Sequence, residues 1–169
     1  MLEFAEWLQA TPVSVFIQSV TWVIPLLQSI HILMIGVVFV SILMIALRVL
    51  GRVRTDETFS AVWHRFAPWM WCGLAVMAVT GITLIVGEPI REFTALSFWL
   101  KMALIAAVVA STFVFARTVQ PAASAPDREF SPATKTAVLA ALLVWVVIVF
   151  LGRAIAYDVA VWGALSPSA

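Results

Sequence analysis

The sequence predicts an all-α integral membrane protein: a four-helix bundle of transmembrane spans with a short N-terminal interfacial helix. Three observations predict it. Hydrophobic residues make up 63% of the 169 positions and charged residues only 11%, whereas a soluble domain carries about a quarter charged residues to cover its surface. The mean hydropathy is +1.07. Four apolar runs each reach the roughly 20 helical residues needed to cross a hydrocarbon core of about 30 Å.

The chain divides as one membrane domain, 1–169. "LEFAEWLQA" sets Glu3, Glu6 and Gln9 along one edge and Leu2, Ala5, Trp7 and Leu8 around the rest. That pattern predicts an interfacial helix over about 2–10. The missing basic n-region, with Glu3 and Glu6 in its place, argues against a signal peptide. Thr11-Pro12 restarts the helix, and Pro25 is expected to kink the start of the first span. The spans fall at about 22–47, 66–86, 96–116 and 134–156.

Three breaks separate them. "RVLGRVRTDETFSAVWHR" (48–65) is polar and carries Arg48, Arg52, Arg54 and Arg65. "GEPIREFTA" (87–95) is short, with Pro89 as a helix stop. "TVQPAASAPDREFSPA" (118–133) reads as a flexible connection, closed by Ser131-Pro132 as N-cap and first-turn pair. Counting Lys and Arg, the first connection has four, the second only Arg91, and the third has Arg117, Arg128 and Lys135 nearby. This alternation predicts both termini and 87–95 outside (periplasmic) and the other two loops cytoplasmic, in a bacterial inner (plasma) membrane. A net charge of +1 and scattered basic residues leave nothing for nucleic acid. One cysteine, Cys72, allows no intrachain disulfide, and no C-x-x-C motif is present.

Where lipid supplies no hydrophobic drive between helices, small residues mark contacts. Ala103, Ala107 and Ser111 repeat every four residues on the third span; Gly73 and Gly81 mark a face of the second.

An ionisable group inside a span costs several kcal/mol unless paired or hydrated, so each one flags a function. Three stand out: His31, Lys101 and Arg153. His31 lies roughly 13 Å below the outer boundary, Arg153 about 6–13 Å and Lys101 about 6–8 Å, at 1.5 Å per residue. Three spans thus contribute a polar group at a similar level, which predicts a cavity opening outward beneath Glu88, Arg91, Glu92 and Asp158. The plainer alternatives are that Lys101 and Arg153 snorkel to the headgroups, that His31 is an interhelical hydrogen-bonding residue, or that Arg153 pairs with Asp158 or Glu88. Tyr157 and Trp162 read as outer-interface anchors.

His64 cannot share a haem with His31, because the two sit at opposite ends of the spans, about 26 Å apart. A haem on His31 needs another ligand, an open position or a second subunit. His31 and Met34 share a helical face, with Met77 and Met102 at comparable depth, a soft set of the kind Cu(I) favours; methionine is also ordinary core filler. No Ser-His-Asp constellation, phosphate loop or mid-membrane carboxylate pair argues for an enzyme.

Three stretches together carry a resemblance. "SIHILMIGVVFVSILMIALRVLG" resembles the pattern H-x-x-x-x-G…D-L-R-L-L-G, "FWLKMAL" resembles F-x-x-K-x-x-L, and "GRAIAY" resembles R-W-I-A-Y. These patterns belong to an uncharacterised family of small bacterial four-helix membrane proteins. The matched positions are His31, Arg48, Gly51, Lys101, Arg153 and Tyr157; Ala46 and Ala154 depart from the pattern. The arrangement also looks loosely similar to CopD-type and cytochrome-b-type bundles, which handle copper or haem. The resemblance implies a membrane bundle with His31, Lys101, Arg153 and Tyr157 at a cofactor-binding site, and a metal reading would use His31 and Met34. It implies a binding module for haem b (the first cofactor to test), a quinone or a metal. The alternative is a structural accessory subunit, in contact with the lipid bilayer and with a larger membrane complex or another copy of itself.

Overall fold

The computed structural model describes residues 2–118 and 129–167. Within them the chain is predominantly helical and contains no strand. Two short helices come first, α1 (Leu2–Gln9) and α2 (Pro12–Ser19). Four long ones follow: α3 (Val23–Val49), α4 (Phe59–Gly87), α6 (Leu96–Thr118) and α7 (Pro132–Ala154). The single-turn α5 (Pro89–Phe93) links α4 to α6. After α7, a turn of 3-10 helix (Ile155–Tyr157) leads into α8 (Asp158–Trp162). All four long helices are long and apolar enough to cross a membrane.

The helix boundaries follow from local chemistry. The Thr11 hydroxyl accepts from Ser14 N at 3.4 Å and Pro12 occupies the first turn, so α2 starts where the sequence restarts. Pro25 does not need to kink α3. It sits in the helix's first turn, where its missing N–H would have had no intrahelical partner anyway. α3 ends in a Schellman motif: Gly51 takes φ +69°, Arg52 N donates to Leu47 O at 2.9 Å, and Gly51 N to Arg48 O at 3.1 Å. A side chain at Gly51 would strain that stop.

α4 starts seven residues before its expected position. Thr58 caps it by accepting from Ala61 N at 3.2 Å, and Phe59, Val62 and Trp63 bury on one face despite the intervening His64-Arg65. α7 begins with Ser131 accepting from Thr134 N at 3.2 Å and Pro132 in the first turn, as its sequence predicts. Of the expected 118–133 connection, residues 119–128, Arg128 included, lie outside the described residues.

α3 packs along α4 on one side and α7 on the other, and α7 packs along α6. Gly73 permits the first of these contacts: a Cβ there would come within 2.7 Å of Val38 Cγ2. The expected face of Gly73 and Gly81 is thus the α3–α4 seam. The Ala103–Ala107–Ser111 stripe differs from expectation, since all three residues are exposed.

The apolar core is concentrated toward the arginine-rich end. Val38, Ile45, Val49, Phe59, Trp63, Met70, Val108, Trp145 and Ile148 form one buried cluster there, with Phe59 and Trp63 against Phe115 at 5.9 and 6.0 Å between ring centroids. The same end is closed by a loop built on Glu57. Buried Arg48 donates through Nε and Nη2 to the Glu57 carbonyl at 3.0 and 2.7 Å, while Arg54 and Arg65 pair with the Glu57 carboxylate.

Candidate functional site

At the opposite end, the α5 end, the filling is different. α3 buries no side chain before Val38. On α4, the buried residues above Gly73 are Thr80 and Gly87. Buried residues are therefore sparse on α3 and α4 between the apolar core and the cap of short helices.

His31 of α3 faces α4 in this region. Its Nδ1 lies 2.8 Å from Thr80 Oγ1. The Thr80 hydroxyl donates to the Val76 carbonyl at 2.9 Å, the usual back-bond of a helical threonine. A hydroxyl carries one hydrogen. With it given to Val76, Thr80 would accept from His31 and Nδ1 would be the protonated nitrogen; given to Nδ1 instead, the roles reverse. In the first arrangement Nε2 carries the lone pair of the neutral ring, and among the described residues it makes no hydrogen bond. Gly81 lies beside the ring, where an added Cβ would meet His31 Cε1 at an ordinary van der Waals distance of 3.5 Å.

Lys101 of α6 lays its stem over α7 at Gly152, where a Cβ would come within 3.6 Å of Nζ and 3.8 Å of Cε. Among the described residues Lys101 forms no ion pair and no hydrogen bond. Glu92 is buried beneath Arg91, whose Nη2 lies 3.3 Å from Glu92 Oε1 and 2.6 Å from Glu88 Oε2.

Arg153 is placed elsewhere. It is exposed, donates from Nη2 to the Tyr157 hydroxyl at 3.0 Å, and holds its guanidinium carbon 5.1 Å from the centre of the Tyr157 ring. Arg153 and Tyr157 thus form a pair of their own on the flank. Met34 is half-buried on α3, Met77 packs against the apolar core, and Met102 is exposed. Among the described residues no three His, Cys, Asp or Glu side chains converge as metal ligands. His64 is exposed at the arginine-rich end, sixteen residues and roughly 24 Å along α4 from Thr80.

Arg153 pairs with neither carboxylate once weighed for it. Glu88 is held by Arg91. Asp158 is buried and caps α6 across the fold: Oδ2 accepts from Leu96 N and Oδ1 from Ser97 N, each at 2.9 Å, and Ser166 Oγ donates to Oδ2 at 2.6 Å. Trp162, expected as an interface anchor, donates from its indole to Ser97 Oγ at 2.8 Å. This lattice of bonds fixes the N-terminus of α6, and with it the height of Lys101.

Two open grooves mark the α5 end. One, of about 370 Å³, is lined by Arg91, Thr94, Ala95 and Ile155–Ala160; the other, about 580 Å³, by Gln9, Gln18, Ile24, Gly87, Glu88, Ile90 and Arg91. Neither is lined by His31 or Lys101.

Thr80 and Gly152 were missed by sequence reasoning. Thr80 had a signal, because it adjoins Gly81 on the small-residue face of α4. Gly152 had none, since its role depends on where the Lys101 side chain turns.

No curated protein and no solved structure matches this chain. A family model does match it, and across nearly the whole bundle: over residues 4–158, which include His31, Thr80, Lys101 and Asp158, the chain belongs to a family of unknown function, DUF6644.

Proposed function

We propose that this protein is a non-catalytic binding module of a membrane redox or metal system, with its ligand held at His31 and Lys101 in the outer half of the bundle. The observation that carries this reading is the His31–Thr80 hydrogen bond at 2.8 Å. A ligating histidine characteristically donates its second ring N–H to a fixed acceptor, which sets the tautomer and aims the free nitrogen. A bond donated from His31 Nδ1 to Thr80 would hold the ring in that way, and Lys101 would supply a positive charge to the same ligand.

Haem b, a quinone and a metal ion are the ligand classes this chemistry serves. A haem would take His31 Nε2 as one axial ligand. His64, at the other end of the bundle, supplies no second one, so such a haem would be five-coordinate or completed from outside the chain. Arg153 and Tyr157 would enter as a gate on the flank of α7, and Met34 as a soft donor one turn from His31. The arginine-rich loop would face the cytoplasm and the α5 end the outside of a bacterial inner membrane, as the Lys and Arg distribution favours.

The test is an absorption spectrum of the protein purified in mild detergent, oxidised and then dithionite-reduced, with metal analysis and lipid extraction of the same sample. A chromophore, metal or extractable small molecule present in stoichiometric amount and absent from His31→Ala supports the reading. A sample with none of them overturns it.

A second reading, a structural accessory subunit or homo-oligomer, is favoured by the exposed Ala103–Ala107–Ser111 stripe on α6, which permits close approach of another helix. It expects His31→Ala to change assembly with no ligand ever found.

A further inference from the structure

We infer that Arg153 and Tyr157 clamp the phosphate of one phospholipid, whose acyl chain lies along the outward face of α7. This goes beyond the binding-module reading above and does not rest on it.

The apolar part comes first. Leu143, Val147 and Phe150 turn away from the bundle, 60, 47 and 71% exposed, on a helix long and apolar enough to cross a membrane. Arg153 and Tyr157, both exposed, continue the same column. Successive members are three or four residues apart, the spacing that keeps side chains on one helical face. From Leu143 to Arg153 the column rises about 15 Å at 1.5 Å per residue, half of a hydrocarbon core of about 30 Å and so the acyl depth of one leaflet. Measured from the first residue of α7, Pro132, Arg153 stands about 32 Å along the axis. That height brings the guanidinium to the headgroup level at the α5 end.

The charge comes second. An arginine at this height ordinarily pairs with a carboxylate or extends freely into water. Arg153 does neither. Among the described residues it forms no ion pair, because the nearby carboxylates are taken: Glu88 and Glu92 by Arg91, and Asp158 by the amides of Leu96 and Ser97 and by Ser166. Its Nη2 donates to the Tyr157 hydroxyl at 3.0 Å, and its guanidinium carbon lies 5.1 Å from the centre of that ring. The fork is thereby held in one orientation with most of its donors free. A phosphodiester fits it, since two oxygens can accept from a guanidinium side by side. Tyr157 is also one wall of the open groove of about 370 Å³ that runs to Thr94 and Arg91, which leaves room for the headgroup alcohol beyond the phosphate. A phosphate tethered to an acyl chain satisfies column and fork together. Free inorganic phosphate satisfies only the fork.

The experiment reconstitutes the full chain into vesicles of equal parts phosphatidylglycerol and monogalactosyl diacylglycerol, extracts it in mild detergent and counts retained lipids by native mass spectrometry. The expected result is one phosphatidylglycerol kept in preference to the galactolipid, and no such preference in Arg153→Gln. Arg153→Lys is the decisive variant, because an ammonium can still snorkel to headgroups but cannot present the fork. Its retention should fall about tenfold, the equivalent of one charge-assisted hydrogen bond. Tyr157→Phe should weaken retention in the same direction by less. Thermal unfolding should be unchanged in all three, which separates a lost lipid from a lost fold. Retention in Arg153→Lys equal to the native chain overturns the clamp and leaves a snorkelling side chain. Retention indifferent to Arg153→Gln, or equal retention of the galactolipid, also overturns the inference. So does displacement of the phosphatidylglycerol by millimolar inorganic phosphate, which would make this an anion site open to water.

Discussion

His31 Nδ1 and Thr80 Oγ1 meet at 2.8 Å across the α3–α4 seam, 49 residues apart in sequence. With the Thr80 proton given to its own helix, the pair would run one way from imidazole to hydroxyl to backbone carbonyl. That direction would fix which ring nitrogen is left free. Nitrogen NMR of the labelled protein, with His64→Gln removing the second histidine, should show neutral His31 protonated at Nδ1 and bare at Nε2. In Thr80→Val the two tautomers should become mixed. A protonated Nε2 in the native chain would sink the assignment.

The contact depends on how closely α3 and α4 approach, and Gly73 sets that approach. Its missing Cβ leaves room for Val38 Cγ2, a branched side chain with little freedom to turn away. Gly73→Ala should therefore cost about 1–3 kcal/mol, the usual penalty of overpacking, in thermal or SDS-induced unfolding. The double variant Gly73→Ala with Val38→Ala should recover part of the loss. Gly81→Ala makes the contrast: its Cβ would meet His31 Cε1 at an ordinary 3.5 Å, and it should be tolerated. Equal losses at Gly73 and Gly81 would contradict this account of the seam.

Much of this layout is legible in the sequence, for physical reasons. Lipid demands long apolar helices, so the four spans follow from composition and length. Rise per residue gives depth, which sets His31, Lys101 and Arg153 at a similar level from sequence alone. Gly73 and Gly81 mark a helix seam because only small residues let backbones close up. What depth cannot give is rotation. Arg153 shares the level of Lys101 but turns outward to Tyr157, and the Ala103 stripe faces away from the bundle. The early start of α4 was hidden because His64 and Arg65 read as loop, while the burial of Phe59 and Trp63 that stabilises those turns requires a partner helix. Asp158 was read as part of a charged crown; its capping role joins residues about sixty positions apart, a pairing no local pattern encodes.

That cap leads to the third prediction. Asp158 satisfies two of the orphan amides at the start of α6 and receives Ser166 Oγ as well. Asp158→Ala should destabilise the bundle by about 2–3 kcal/mol, since hydrogen bonds to a charged acceptor are lost and buried amides are left bare. Asp158→Asn, which keeps one oxygen acceptor, should lose less. Hydrogen exchange at Leu96 and Ser97 should accelerate in both. Arg153→Gln should leave stability and exchange at these amides unchanged, because Arg153 does not touch Asp158. If Arg153→Gln and Asp158→Asn had matching effects, the two side chains would be partners after all.

At the arginine-rich end the same logic separates backbone from side chain within one residue. Glu57 offers its carbonyl to buried Arg48 through two hydrogen bonds, 3.0 and 2.7 Å, and its carboxylate to Arg54 and the exposed Arg65. Glu57→Gln removes only partly solvated ion pairs, which contribute about 0–1 kcal/mol, and it leaves the carbonyl in place. Arg48→Met removes the fork that pins the loop and should cost about 1.5–3 kcal/mol. Arg48→Lys should not rescue it, because an ammonium cannot reproduce two parallel donors in a fixed plane. Limited proteolysis within residues 50–58 reads the difference: cleavage should quicken in both Arg48 variants and stay near the native rate in Glu57→Gln. Rapid cleavage of Glu57→Gln would instead show that the carboxylate, through Arg54 and Arg65, holds the loop closed.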